Sequence, residues 1–446
     1  MVPGTLPTAR TSGNAHTVRL GQASRTLRRM AAHRWRKRGR GHGMEQNGQV
    51  CAEAATVGSD MRWGRAAVVT AVGAGSVALG AGAAALVAGR VASDYAVRPR
   101  GAAPAAAGGL KVHSVQQDRV ELTRSWESQR PGRYALEWNG GRVVVGEVLG
   151  GTAQTVLRRL EPGRTGGAAD TSGGTGDTPA VGTTVRITPL LFAGDPRTAL
   201  GLEFDEFDIH GDLGPMPAWF VPGARDLCLI AVHGIGADRT QVLPLLPLFD
   251  RLKIPVLAVT YRNDEGAPRS PDGLGHLGAG EWPDADAAIR FAVDNGARRS
   301  VLFGWSVGAT MALHAAVGSA YRESVRGLVL DSPVLDWRGT VRRQATRRGV
   351  PAALAELGVR AAEGRVAVDP RAYDRIGLGE GLTAPVLLFH SADDTVSPVD
   401  HARRLAARRD DLVLYEEFHD AEHAALWNTD PDRYELTLRR FLTPLL

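Results

Sequence analysis

Gly304-Trp305-Ser306-Val307-Gly308 stands between an apolar run, residues 300–303, and a helical pattern over residues 307–317. The residues predict a strand, a sharp turn and a helix in immediate succession. Such a turn needs small residues on both flanks, because its central residue sits in a strained backbone conformation. It lifts the Ser306 hydroxyl above a sheet edge and places it at a helix N-terminus. The pentapeptide alone recurs by chance in many chains. The strand before it and the helix after it are what give it weight. Ser306 is the candidate nucleophile, with an ordinary turn serine as the plain alternative.

Outward from this turn, apolar runs of buried-strand length fall at 227–232, 255–260, 327–330 and 385–389. Helical stretches such as 284–294 lie between them. Runs buried on both faces with helical crossovers indicate an α/β domain with a mostly parallel central sheet. We assign it to residues 216–446. Residues 338–380 are longer than a simple crossover and are expected to form a helical cap insertion.

A serine hydroxyl is a weak nucleophile near neutral pH and needs a base oriented by an acid. After a turn of this kind the expected chain order is Ser, then Asp or Glu, then His. His390-Ser391-Ala392-Asp393-Asp394-Thr395-Val396-Ser397-Pro398 follows the last of those runs. Asp394 is favoured as the acid because it stands further into the loop. Asp393 then reads as a turn-capping carboxylate. His401 lies in an Arg-rich helical pattern and reads as surface. His419 and His423 both fall between a strand at 412–415 and the last helix. His423 is favoured as the base because it is nearest the helix start, beside Trp427-Asn428, and His419 reads as a loop residue. The oxyanion of a tetrahedral intermediate needs hydrogen-bond donors. One is expected from the backbone N–H of Val307, the other from the loop His233-Gly234-Ile235-Gly236, through Ile235 or Gly234. The His233 side chain reads as structural.

With these four motifs in this order, residues 216–446 resemble the α/β-hydrolase superfamily. The tracts Tyr261-Arg262-Asn263-Asp264, His276-Leu277-Gly278 and Glu281-Trp282, with Asp284, resemble a group of actinobacterial membrane-anchored hydrolases, often likened to serine peptidases and lysophospholipases. The resemblance implies Ser306 as nucleophile, Asp394 as acid and His423 as base. It supplies no substrate. It leaves residues 1–215 largely uncovered, although a leader strand near 204–221 fits.

The rest of the chain is of different character. The 446 residues carry a net charge of +5, with 43% hydrophobic and 23% charged residues. That composition excludes a wholly disordered chain, a collagen-like repeat and a multi-span membrane protein. Residues 1–65 hold twelve Arg/Lys against three Asp/Glu, so the remainder carries −4. The basic character belongs to a tail rather than to a nucleic-acid-binding surface. This tail is expected to be disordered, and Met44 and Met61 offer internal starts. Residues 66–89 are 24 residues without a charge, enough to cross a bilayer core as a helix, which takes about 20. A single-pass anchor is favoured, and a cleaved signal or a buried Ala-rich helix remain open. The denser positive charge before the segment would keep the N-terminus cytoplasmic and the body outside. Residues 90–109 read as a linker and 110–215 as a β-rich region, with a hairpin at 134–148 around Asn139-Gly140-Gly141. Residues 163–183 read as a flexible insert.

Two cysteines, Cys51 and Cys228, exclude a disulfide scaffold and a Cys-based zinc cluster. No phosphate-binding glycine loop, metal-ligand spacing or dinucleotide fingerprint is present, so no cofactor and no metal is expected. Arg338, Arg342, Arg343, Arg347 and Arg348 fall at helical spacing in the cap and read as a solvated face, or as an attractor for an anionic head group. Trp305 either shapes an acyl pocket or packs beneath the turn. The expected activity is that of a serine hydrolase cleaving carboxylic esters, with lipid-like acyl substrates favoured by membrane attachment. A serine peptidase of the same fold is the alternative within that class. Acyl transfer to another acceptor uses the same residues. A catalytically dormant envelope scaffold, acting through the β-rich region, is the alternative outside it.

Overall fold

A computed structural model describes residues 109–161, 178–347, 349–365 and 369–446. The tail expected over 1–65, the span expected over 66–89, nearly all of the 90–109 linker and most of the 163–183 insert lie outside them. Among the described residues, no helix is long and apolar enough to cross a membrane.

The β-rich region is a small closed barrel. Its strands are β1 (Leu110–Gln116), β2 (Arg119–Thr123), β3 (Tyr134–Trp138), β4 (Gly141–Gly151), β5 (Thr155–Glu161) and β6 (Thr184–Thr188), in the order β1-β2-β5-β4-β3-β6. The hairpin lies where the Asn139-Gly140 pair places it, with Trp138 opposite Gly141. Pairing of Leu110 with Val185 closes the ring, and closure leaves no strand edge open to other chains. Alternate residues such as Val120, Leu122, Leu136, Val143 and Val145 point inward and fill the interior.

The second body is an eight-stranded sheet with helices on both faces. It comprises β7 (Asp205–His210), β8 (Pro215–Val221), β9 (Leu227–Val232), β10 (Val256–Val259), β11 (Arg299–Trp305), β12 (Val325–Asp331), β13 (Val386–Ser391) and β14 (Val413–Phe418). The order is β14-β13-β12-β11-β9-β10-β8-β7. Strands β9 to β14 run parallel, while β8 and β7 are added antiparallel at one edge. The sheet therefore starts at Asp205, ahead of residue 216, because Ile209 and Phe207 of β7 pack into the same core as Phe220 of β8. Successive residues of β9 feed opposite cores, with Cys228, Ile230 and Val232 on one face and Leu227, Leu229 and Ala231 on the other. That is why the run has no polar interruption.

Between β12 and β13 the chain forms three helices, Trp337–Arg347, Ala352–Arg365 and Pro370–Gly377. They occupy the stretch expected to be inserted. The buried Tyr373 hydroxyl donates to Val334 O at 2.6 Å and ties the last of them to the body. The chain runs from β9 to β10 on one side and then returns to place β11 on the other. Strand order thus reverses between β9 and β11, and ligand sites of open α/β sheets gather at the carboxyl ends of strands at such a point.

Candidate active site

Ser306 is the first residue after β11 and precedes the helix Val307–Gly318. Its φ of 52° and ψ of −117° are strained for a residue with a side chain. Close packing enforces the turn. A Cβ on Gly304 would lie 2.3 Å from Gly308 O, and one on Gly308 would lie 2.2 Å from Val232 O. Only glycine lets the helix sit this close to β9. The Ser306 N–H donates to Asp331 O at 2.8 Å, which pins the turn to β12.

Asp394 lies in the loop after β13 and is buried. Its Oδ1 accepts the N–H groups of Val396 at 2.7 Å and Ser397 at 2.8 Å. Its Oδ2 faces His423 Nδ1 at 2.7 Å and His390 Nε2 at 3.3 Å. A carboxylate only accepts, so His423 donates from Nδ1. Its Nε2 then presents a lone pair to Ser306 Oγ at 2.7 Å, and the hydroxyl donates. Burial alone would raise the Asp394 pKa. The charge and hydrogen bonds of the two histidines outweigh it and hold the carboxyl well below its usual range. For His423, burial pulls the pKa down, but the charge and hydrogen bond of Asp394 prevail and the pKa is raised above 6.5. The structure thus brings Ser306, His423 and Asp394 together in line from three separate loops. His419 is exposed. Asp393 is also exposed, and its Oδ2 accepts the Asp420 N–H at 2.8 Å, a turn-capping contact.

The N-terminus of the helix after Ser306 and the loop after β9 both lie against Ser306. Val307 opens its helix, so its N–H has no partner within the helix. In the loop after β9, Gly234 packs against Ser306, and a Cβ there would lie 3.1 Å from Ser306 Cβ. The Gly234 N–H is already given to Gln241 Oε1 at 2.9 Å. Of the two amides the sequence leaves open, this favours Ile235 as the donor.

His233 supports that loop from below. Its Nδ1 donates to Gly234 O at 3.0 Å, its Nε2 contacts Asp264 Oδ2 at 2.9 Å, and its ring stacks on Tyr261 with centroids 4.6 Å apart. Both partners are acceptors, so the ring carries both protons. Burial opposes that charge, and Asp264 overrides it, so the pKa is raised. The Tyr261-Arg262-Asn263-Asp264 tract is therefore a brace for the loop. Arg262, buried, pairs in turn with Asp284 at 2.6 Å and Asp212 at 2.7 Å.

Several residues support the site in ways that the sequence did not show. His390 adds a second imidazole to Asp394, with its Nδ1 buried and without a partner. Arg343 donates to Asp394 O at 2.6 Å and Arg347 to Thr395 O at 3.1 Å, which docks the first insertion helix on the acid loop. Arg338 and Arg342 instead pair with Glu363 and Glu356, and Arg348 lies outside the described residues. Ser332 has a φ of 51°. Its hydroxyl bonds Asp331 Oδ1 at 2.9 Å and accepts the Ala424 N–H at 3.0 Å. Asp331 is pushed up to about 6 by burial, against hydrogen bonds from Tyr434 and Ser332 that lower it. Trp305 is buried and stacks on Phe303 with centroids 4.2 Å apart, so it packs beneath the turn. Cys228 is fully buried, which pushes its thiol up to about 12. Among the described residues no acidic, histidine and cysteine cluster is arranged to hold a metal.

A family model described as a domain of unknown function, DUF8805, matches residues 111–188, a range that takes in the barrel strands from Lys111 to Thr188. The curated proteins yield no match. Among solved structures, the esterase Pf2001 of Pyrococcus furiosus aligns with 18% identity over 56% of this chain and 96% of its own, with a TM-score of 0.45. A putative hydrolase of Bacillus subtilis aligns with 16% identity over 56% of this chain and 95% of its own, TM-score 0.40. XC6422 of Xanthomonas campestris, described as an α/β serine hydrolase without lid, shares 16% identity over 55% of this chain and 95% of its own, TM-score 0.39.

Proposed function

We propose that this chain is a serine hydrolase of the α/β-hydrolase fold, cleaving carboxylic esters through an acyl-enzyme. The observation that carries the reading is the in-line set Ser306 Oγ, His423 Nε2 at 2.7 Å, and His423 Nδ1 to Asp394 Oδ2 at 2.7 Å. It stands on a strained turn, with the Val307 amide next in the chain and the Gly234 loop packed against Ser306. A structural serine needs neither the strain nor a base with its lone pair directed at the hydroxyl.

In the first half-reaction the Ser306 proton passes to His423 Nε2 as Oγ bonds to the acyl carbon. The carbonyl electrons move onto oxygen, where the N–H groups of Val307 and Ile235 stabilise them. Collapse breaks the bond to the leaving alkoxide, which takes the proton from His423. A water then gives His423 a proton, attacks the acyl carbon and releases the acid and Ser306. Asp394 keeps Nδ1 protonated throughout and stabilises the imidazolium that forms. No metal or cofactor enters this sequence.

An anchor at residues 66–89 would hold the site outside the membrane and close to lipid. Lipid-like acyl esters are the favoured substrates on that ground. The test is labelling by a fluorophosphonate probe beside Ser306→Ala, followed by a panel of esters of increasing chain length. Labelling of the parent alone supports the reading. A folded parent that stays unlabelled and cleaves no ester sinks it and favours a scaffold.

A further inference from the structure

The loop that carries His423 is held from outside its own domain. It runs from Phe418, the end of β14, to the short helix Leu426–Thr429. The barrel grips it at three points. Ala425 is buried within the barrel's hydrophobic core. Asn428 and Arg133 are stitched by backbone and side chain. The Arg133 N–H donates to Asn428 O at 2.9 Å, and Asn428 Nδ2 donates to Arg133 O at 2.8 Å and Pro189 O at 2.9 Å. Arg130 pairs with Glu422, the residue before His423, at 2.6 Å, and both side chains are 13% exposed.

The barrel side of this contact is itself rigidly built. Arg158 is completely buried, and among the described residues no carboxylate pairs with it. Its guanidinium instead donates to the carbonyls of Ser128, Arg130, Gly132 and Gly146, at 2.5 to 3.0 Å. Burial lowers its pKa to about 10, so it stays charged. A buried cation is tolerated only when its donors are all satisfied. Here three are satisfied by curling residues 128–132 around it and two by Gly146 O of β4. The curl presents Gly132, at a φ of +94°, flat against Asn428, where a Cβ would come 2.2 Å from Asn428 O. It also stacks Arg130 on Trp126, 3.8 Å above the ring, and aims it at Glu422.

We propose that the barrel is a positioning domain for the base. Through the 128–133 curl it fixes the 418–430 loop, and so sets the register of His423 against Ser306 and Asp394. The proposal rests on the hydrolase reading above. It gives residues 111–188 a role within that reading: turnover depends on barrel docking, although no barrel side chain need touch the substrate. The acidic groups acting on His423 are Asp394, Asp331 and Glu422, and Arg130 is the cation on Glu422. The Arg130 pair therefore shields His423 from one of its three carboxylates while it holds the loop.

Gly132→Ala in the full chain tests the positioning, because the added methyl must push Asn428 away. A displacement of this size is expected to slow fluorophosphonate labelling and lower kcat by about tenfold to a hundredfold. KM should stay near the parent value, and labelling should still reach one probe per chain, which a partly unfolded sample would not do. Arg130→Met removes the ion pair without a bulky intrusion. It should also move the ascending limb of the pH–rate profile upward, since Glu422 loses its cation beside His423 and keeps only the Thr395 hydroxyl. Hydrogen exchange supplies a readout independent of activity, with faster exchange expected over 418–430 in Gly132→Ala and unchanged exchange in β9 and β11. Unchanged protection of 418–430, or parent rates in both variants, overturns the proposal. A parent that neither labels nor cleaves esters overturns the hydrolase reading instead, and the exchange result still decides whether the barrel holds the loop.

Discussion

Replacing Asp394 by Asn keeps the shape of the site and reverses the direction of one hydrogen bond. The carboxylate accepts the Val396 and Ser397 amides on Oδ1 and His423 Nδ1 on Oδ2, and Oδ2 also lies 3.3 Å from His390 Nε2, which bonds Ser397 O at 3.2 Å. Two backbone N–H groups cannot face an NH2, so the Asn carbonyl must take the Oδ1 position. The amide NH2 then faces His423. Nδ1 must accept, the ring proton moves to Nε2, and the lone pair that receives the Ser306 proton is gone. A tautomer error of this kind in a serine triad costs about 10⁴-fold in kcat, equivalent to about 5 kcal/mol of transition-state stabilisation. The negative charge that raises the His423 pKa is lost as well. The residual activity should therefore rise with pH around a lower midpoint than in the parent. The assay is kcat/KM on a simple ester from pH 5 to 9, with fluorophosphonate labelling rates alongside. If Asp394→Asn kept more than about 1% of parent turnover with an unmoved midpoint, Asp394 would not be the orienting acid. Asp331, which is buried and also acts on His423, would take its place, and Asp331→Asn would then show the larger loss.

The parent's own kcat/KM should rise through a midpoint above 6.5, because the raised pKa of His423 keeps it protonated and unable to act as base below that point. Asp331→Asn should change how stability depends on pH. The folded pKa of about 6 lies above the ordinary 3.8, so the native state binds the proton more tightly and loses stability as pH rises through that window. About two pKa units correspond to about 3 kcal/mol; the variant should lose this decline in thermal melts between pH 4 and 7. Gly308→Ala places a Cβ 2.2 Å from Val232 O, a clash between two backbones, and should lower stability by about 3 kcal/mol or more in denaturant titration. Gln241→Ala unties the Gly234 amide and should slow labelling by less than the roughly 10²-fold that loss of an oxyanion donor itself costs.

Parts of the molecule follow directly from local pattern. The apolar run at 227–232 is β9 to the residue, and the runs at 255–260, 300–303, 327–330, 385–389 and 412–415 fall within one to three residues of the strands that form. Strands buried on both faces leave such runs because each residue must be apolar whichever way it points. The runs do not reveal which strands are neighbours. Nor do they show that β7 joins the large sheet, since its alternating pattern, exposed on one side, reads equally as part of the preceding β-rich region.

Ser306, Asp394 and His423 are legible because a sharp turn, a loop after a strand and a histidine before a helix each leave a local mark. What holds them is not local. The Asp331–Ser332 link reaches Ser306 through a carbonyl and Ala424 through a hydroxyl. His390 meets Asp394 across a loop, and Arg343 and Arg347 cap that loop from an inserted helix. Arg130, Arg133 and Arg158 are three arginines among many in the sequence, and nothing about their spacing sets them apart. The chain's order of apolar runs, glycines and polar loop residues marks the strands, the turn and the residues at its tip. The barrel's closure, its seat against the 418–430 loop and the partners of the buried charges arise only on folding. They depend on contacts between residues up to about 300 positions apart, such as Asn428 with Arg133, and energies of that kind are set by distance in space and by burial, which a linear pattern does not carry.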